Sequence, residues 1–384
     1  MGKFIALFLV LMLSVFQTVI PLTNGDEPKV TAVRETIDRL LEREPLEKEC
    51  FEGEASDYIW SETDEYRLED TVVLEKQKGK DFIILNLADI HFSDYGYRLP
   101  LSIEGEATIR RLVAQVGPDL IILSGDNVCS DNTYYSMHKV TELMESFGIP
   151  WAPVYGNHDD EGNCDLNYLA DIMMTGEHCL MRKGDPEMGV GNYIVNIVET
   201  DSDGGQTLVE SLILMDSHHS QPNEKQKQWY AWAAAGAKAV GGENAEVSIF
   251  MHIPLPDYQL AYDEAWDEEN GKWRDGYAAQ GELHEKICCE RDGDGAPLQR
   301  GFFDAIEESG NTKYVFCGHE HMNDFSIEYH GVRLTYMLKL GYASGFQQGF
   351  NGGTQIVVGD AGVCRITHLA VSGGLFKPIV DIKS

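Results

Sequence analysis

The sequence predicts an α/β fold made of βαβ units, with a sheet covered on both faces. Two observations carry this. Three short apolar runs, DFIILNLAD, DLIILSGD and WAPVYGN, have the length and continuity of fully buried strands. The segments between them, 104–116 and 134–147, carry apolar residues at helical spacing, so strand and helix alternate.

In chain order, Lys3 precedes an unbroken apolar run over 4–15, and a polar stretch ends in Thr23-Asn24-Gly25. Residues 1–25 read as a secretory signal peptide cleaved before Asp26, with an uncleaved N-terminal anchor as the competing reading. Residues 26–80 read as a helical and irregular extension. Val30, Val33, Ile37, Leu40 and Leu41 mark an amphipathic helix that packs outside the main domain. The main domain is expected over 81–384. Its later half is richer in strands, at 193–199, 208–216, 247–252 and 313–317. A hairpin turning at His330-Gly331 and a final pair near 355–358 and 363–371 follow. Residues 223–240 read as a helix of Trp, Tyr and Ala, and 258–300 as a long Gly/Asp/Glu-rich loop over one edge.

The chain has 63 acidic against 30 basic residues, net charge −33, a surface that repels phosphate backbones and disfavours nucleic acid as a general partner. Any site for an anionic substrate must therefore bring its own positive charge. Eight cysteines suit an exported protein without proving disulfides. Cys164 and Cys179 are a possible pair, Cys288-Cys289 lie in a charged region, and Cys317 reads as a buried thiol.

Residues with metal-ligand chemistry recur where the strands end. The first run ends in Asp89-Ile90-His91, the second in Gly125-Asp126-Asn127 and the third in Gly156-Asn157-His158-Asp159-Asp160. The strand at 247–251 runs into His252, and that at 314–317 into Gly318-His319-Glu320-His321. Each motif alone is an ordinary turn or cap. Five of them at the carboxyl ends of strands, where loops of an α/β sheet converge, supply a mixed N/O donor set suited to Mn, Zn or Fe. In D-x-H and H-x-H, alternate residues of an extended segment are expected to face one pocket. The preceding glycines allow close backbone approach.

This ordered set resembles the calcineurin-like metallophosphoesterase superfamily, over about residues 81–330. The stretches MNDF and YHGVRLTYMLKLGYASGF are similar to the small branch filed beside the purple acid phosphatases. The chain departs from true purple acid phosphatases at Cys129, where they carry a tyrosinate ligand, and in having His91; no tyrosinate-coloured iron site is expected. The resemblance implies a four-layer α/β/β/α sandwich of two mixed sheets with flanking helices. It implies one metal held by Asp89, His91, Asp126 and His321, and a second held by Asp126, Asn157, His252 and His319. His158 becomes the proton donor to the leaving oxygen, oriented by Asp159 or Asp160. The cofactors are two divalent ions, or a mixed Fe/divalent pair. The implied reaction is attack of a bridging hydroxide on a small phosphorylated substrate, a phosphomonoester first. A phosphodiesterase of nucleotides or lipid head groups is the alternative, and a non-catalytic metal-binding secreted module a weaker one. The expected location is secreted or extracytoplasmic, without membrane insertion once the leader is removed.

Other features are set aside. Asp216-Ser217-His218-His219 reads as a polar loop, Trp229-Tyr230-Trp232 as core, and Asp292-Gly293-Asp294-Gly295 lacks the spacing of a calcium loop. Asn323-Asp324 is expected to brace His319 and His321.

Overall fold

The computed structural model describes residues 50–93, 98–217, 220–242, 245–287, 301–343, 345, 349–372 and 375–383. The leader, the expected helix at 30–41, His218, His219, Cys288, Cys289 and the stretch 292–295 lie outside the described residues. Described strands open with β1 (Val72–Lys76), β2 (Phe82–Leu87), β3 (Leu120–Ser124), β4 (Trp151–Val154), β5 (Tyr193–Thr200), β6 (Gln206–Leu214) and β7 (Glu246–Phe250). There follow β8 (Trp266–Asp267), β9 (Lys272–Trp273), β10 (Ala279–Gln280), β11 (Thr312–Cys317), β12 (Ser326–Tyr329) and β13 (Val332–Tyr336). The last are β14 (Gly352–Gly359), β15 (Gly362–Ser372) and β16 (Leu375–Lys383). The α-helices are α1 (Arg98–Val116), α2 (Thr133–Glu145), α3 (Leu166–Met174), α4 (Glu224–Gly241), α5 (Pro256–Ala265) and α6 (Gly301–Ser309).

Two mixed sheets form the body. One has the order β16-β15-β14-β2-β3-β4, and the other β1-β5-β6-β7-β11-β13-β12-β10. The parallel trio β2-β3-β4 and the parallel run β6-β7-β11 are the βαβ portions, and β13 adds a further parallel strand beside β11 through the β12 hairpin. Period-two alternation divides β5, β6, β7 and β11 between two cores. On β11, Tyr314 and Phe316 face the core shared by the two sheets, while Val315 and Cys317 join the outer cluster. Phe316 stacks on Phe250 of β7 at 4.8 Å between ring centroids. Burying each such ring is worth about 2–3 kcal/mol. Apolar residues of α1, α2 and α3 pack in the first core, and those of α4, α5 and α6 in the second. Four layers result, α/β/β/α.

The structure differs from expectation in three elements. Val72–Lys76, assigned to the extension, is instead the edge strand β1, parallel to β5; its five residues are too short for periodicity to show. Pro256–Ala265 is a helix where a loop was expected. Proline sits at its first turn, and Tyr258, Ala261, Tyr262 and Ala265 are buried at helical spacing, a face hidden by the acidic composition around it. Strand β16 went unread because Pro378 interrupts it. On an edge strand this is tolerated, and the β15 partner register slips there, between His368 and Leu369.

Upstream of β1 the chain runs along the outside. Phe51 stacks on Tyr134 and Tyr168, at 4.9 and 5.2 Å. Tyr66 fills the notch left by Gly236 of α4, where a Cβ would come within 2.2 Å of its ring.

Candidate metal centre

The site lies beyond the carboxyl ends of five strands. β2 leads to Asp89 and His91, β3 to Asp126 and β4 to Asn157, all from one sheet. β7 leads to His252 and β11 to His319 and His321, from the other. The centre therefore straddles the seam between the sheets, where strands from both end together.

The local backbone is not extended. Asp89 (φ 52°), His91 (φ 50°), Asp126 (φ 51°) and His319 (φ 79°) are left-handed, and they are four of five such non-glycine residues among those described. Each costs about 1–2 kcal/mol relative to the ordinary region, a strain that clusters at functional sites. The expectation that D-x-H and H-x-H work by strand alternation is thus corrected. Asp89 N–H and His91 N–H donate to the carbonyls of Gly125 and Asp126, curling the two loops together. Asp89 and His91 reach one donor group, whereas His319 and His321 part into different ones.

Two groups emerge. Asp89, His91, Asp126 and His321 bring donor atoms within 4.8 Å of one another, and Asp126, His252 and His319 form a second group sharing Asp126. His91 Nε2 lies 3.3 Å from Asp126 Oδ2, and His252 Nε2 is also 3.3 Å from that oxygen. His321 Nε2 is 3.5 Å from Asp89 Oδ1. The tautomers of two rings follow from their far sides. His252 Nδ1–H donates to the Ser124 carbonyl and His321 Nδ1–H to the Gly345 carbonyl, each at 2.9 Å, so the Nε2 lone pairs face the carboxylates.

Lone pairs facing one another with no hydrogen between them are the signature of a cation site. Asp89 Oδ1, His91 Nε2, Asp126 Oδ2, Asn157 Oδ1 and His252 Nε2 are all buried without a hydrogen-bond partner. Asp89 and Asp126 are each 1% exposed, and an uncompensated buried carboxylate costs several kcal/mol. The residues therefore fit a pair of divalent ions.

Electrostatics agree. Burial alone would raise Asp89 and Asp126, but the adjacent imidazoles (His321 and His91 for Asp89, His252 and His91 for Asp126) hold both carboxyls well below the usual range. Burial and the Lys339 charge push His91 down, and the two carboxylates outweigh them, raising it to about 10. His252 is likewise raised to about 9, burial being outweighed by Asp126. Burial lowers His319 to about 4.

Small residues make this density possible. A Cβ on Gly156 would stand 2.3 Å from both the amide nitrogen and Oδ1 of Asp126, and one on Gly318 would stand 2.7 Å from Asp89 Oδ2. A residue the sequence reading missed is Lys339. Its Nζ donates to the Asp89 carbonyl at 3.2 Å, and burial pushes its ammonium down to about 8. A lysine inside the apolar run YMLKLGY was the available signal.

His158 stands at the open side, 31% exposed, with Nε2 4.0 Å from Asp126 Oδ2. Its backbone N–H donates to Asp126 Oδ1 at 2.8 Å. Asp159 does not serve as its orienting group. The Asp159 carboxylate turns inward and accepts from the amides of Val128 and Gly156 and from Asn127 Nδ2. Burial, with the Asp126 charge, raises it to about 7. The carboxylate beside the His158 ring is that of Glu161. Asn323 and Asp324 also differ from expectation. Asn323 Oδ1 accepts the amides of His284 and Glu285, and Asp324 Oδ1 that of Glu282, so the pair clamps the 282–285 segment instead of the histidines. Glu320 is buried and accepts the Tyr336 hydroxyl at 2.6 Å.

Residues 82–323 match the family described as Calcineurin-like phosphoesterase. The chain belongs to that family. Among calcineurin-like phosphoesterases and their kin, it is 25% identical over 326 residues to "Probable inactive purple acid phosphatase 14" of Arabidopsis thaliana, covering 72% of this chain and 74% of that one. It is 25% identical over 283 residues to "Phosphatase DCR2" of Saccharomyces cerevisiae, covering 66% of this chain and 46% of that one. Among solved structures, a dimetal phosphatase from Danio rerio aligns with 11% identity and a TM-score of 0.42, over 78% of this chain and 98% of that one. The protein is accordingly a metallophosphoesterase, of the phosphoric ester hydrolase class. Among the described residues no helix is long and apolar enough to cross a membrane.

Proposed function

We propose that this calcineurin-like phosphoesterase hydrolyses small phosphomonoesters at a two-cation centre. Asp89, His91, Asp126 and His321 would hold one ion, and Asp126, Asn157, His252 and His319 the other. The observation that carries this reading is that four residues with unpartnered buried donor atoms, Asp89, His91, Asp126 and His252, belong to two groups that share Asp126. Bound there, two ions supply Lewis acidity toward water and phosphate, and the positive charge that the acidic surface lacks. Mn, Zn and Fe, alone or as a mixed Fe/divalent pair, suit the N/O donors.

The chain's own residues do the rest. His91 and His252 are fully buried and serve as ligands, whereas His158 is 31% exposed beside Asp126. We assign it the protonation of the leaving oxygen. Asp126 positions it through the backbone N–H at 2.8 Å. The word "inactive" in the name of a plant relative favours a non-catalytic module as second reading. The intact donor groups and His158 speak for the enzyme, because a binding module has no use for a proton donor. We also read residues 1–25 as a leader of an exported protein, without membrane insertion once it is removed, and the chain from residue 26 up to β1 as an extension of the catalytic domain, which the edge strand β1 joins.

The test is a side-by-side assay of monoester and diester model substrates after chelation and readdition of Mn, Zn or Fe. The proposal expects metal-dependent turnover with the monoester faster. A faster diester moves the assignment to phosphodiesterase, and no turnover with both sites filled moves it to the binding module.

A further inference from the structure

A third set of metal-binding side chains stands at the mouth of the centre. Cys129, His158 and Glu161 each bring one donor atom to a common point, all within 4.8 Å of one another. Cys129 is buried at 6% exposure on the turn after Asp126, and Glu161 is 52% exposed on the solvent side. The geometry between His158 and Glu161 is informative. Glu161 Oε2 lies 2.8 Å from His158 Nδ1, yet Nδ1 is buried without an aligned hydrogen-bond partner. An imidazole nitrogen and a carboxylate oxygen close together but out of line are disposed around a shared point, with the thiol closing the third side. Sulfur sets the preference. The two main groups offer only nitrogen and oxygen, whereas thiolate, imidazole and carboxylate together select Zn²⁺ or Cd²⁺ over Mn²⁺.

We propose that Cys129, His158 and Glu161 form an auxiliary site for a thiophilic cation, and that its occupancy inhibits the enzyme. Binding transfers the Cys129 thiol proton to solvent as the metal–sulfur bond forms, and a ring nitrogen of His158 gives its lone pair to the ion. A ring whose nitrogen is held by the ion is no longer available to the leaving oxygen. The inhibitory half rests on the assignment of His158 as proton donor; the binding half does not. Activity should rise as the first two equivalents of Zn²⁺ enter and fall as a third binds.

The experiment compares the full-length wild-type protein with Cys129→Ser. Metal-free protein is dialysed against Cd²⁺, bound ions are counted, and the cadmium–thiolate absorption is recorded. Monoester turnover is then followed as Zn²⁺ rises above two equivalents. The wild type should take three Cd²⁺ ions and show the band, while Cys129→Ser stops at two and loses that band. The inhibitory midpoint for Zn²⁺ should move up at least about tenfold in the variant, the scale of losing a group that supports metal binding. A wild type that stops at two ions, or a variant that keeps the third, overturns the site and leaves the donor assignment of His158 untouched. A third ion that binds through Cys129 without inhibition overturns the inhibitory half and counts against His158 as donor. If Cys129→Ser fails to fold, Glu161→Gln on the solvent side must weaken the third ion about tenfold; unchanged affinity overturns the proposal.

Discussion

Gly156→Ala adds one methyl group to the tightest point of the centre. Its Cβ would lie 2.3 Å from the amide nitrogen and Oδ1 of Asp126, and 2.8 Å from His252 Cδ2, against an ordinary contact of 3.4–4 Å. Relief requires a displacement of about 1 Å. The amide nitrogen cannot rotate away as a flexible side chain would, so the Asp126 loop must move. Asp126 is common to both donor groups and holds the backbone of His158, so one shift disturbs both proposed cation positions and the proposed proton donor. A 1 Å misplacement of reacting groups costs about 100-fold in rate, and overpacking costs about 1–3 kcal/mol in stability. The assay measures kcat on a monoester, metal content and thermal unfolding, with Gly301→Ala as control, since a Cβ at Gly301 meets nothing within 4 Å. Gly156→Ala should lose about two orders of magnitude in kcat and hold metal less tightly, while the control stays unchanged. Wild-type kcat and metal content in Gly156→Ala would refute the close approach on which the site's geometry depends.

Glu210, fully buried on β6, is raised from 4.5 to about 8, by burial first and then by Glu246. The folded state thus holds a proton that the unfolded state releases, so stability falls as pH rises from 4.5 to about 8. Glu210→Gln keeps an acceptor for the Ser248 hydroxyl, bonded at 2.7 Å in the wild type. Its thermal stability relative to wild type should increase from pH 5 to 8 and then level off; a constant difference would contradict the buried protonated acid. His158→Ala should retain both metals and lose rate most with poor leaving groups, and an equal loss across leaving groups argues against its acid role. His319→Ala should lose one of the two ions together with activity, and full metal occupancy in that variant counts against His319 as a ligand.

The residues that gather at the site were legible because their motifs are local. Each motif sits at the end of an apolar run, and its chemistry is carried by residues one or two apart. The conformation that delivers them was not legible. Left-handed geometry at Asp89, His91 and His319 is imposed by neighbouring loops, and nothing in D-x-H or H-x-H announces it. The supporting contacts were hidden for the same reason. Asn323 clamps amides 38 and 39 residues away, and Lys339 reaches Asp89 across 250 positions, distances over which pattern carries no information. By sequence Asp159 or Asp160 is expected to orient His158, and Glu161, whose carboxylate lies beside the ring, is not. Only the fold shows that the Asp159 carboxylate is engaged by the amides of Val128 and Gly156.

The central claim is that Asp126 joins two cation positions into one working centre. Metal-free protein titrated with Mn²⁺, with bound ions and monoester hydrolysis measured in the same samples, tests it most directly. Two ions per chain should bind, with turnover appearing only as the second enters. Full turnover at one equivalent, or turnover that survives complete chelation, would contradict the claim.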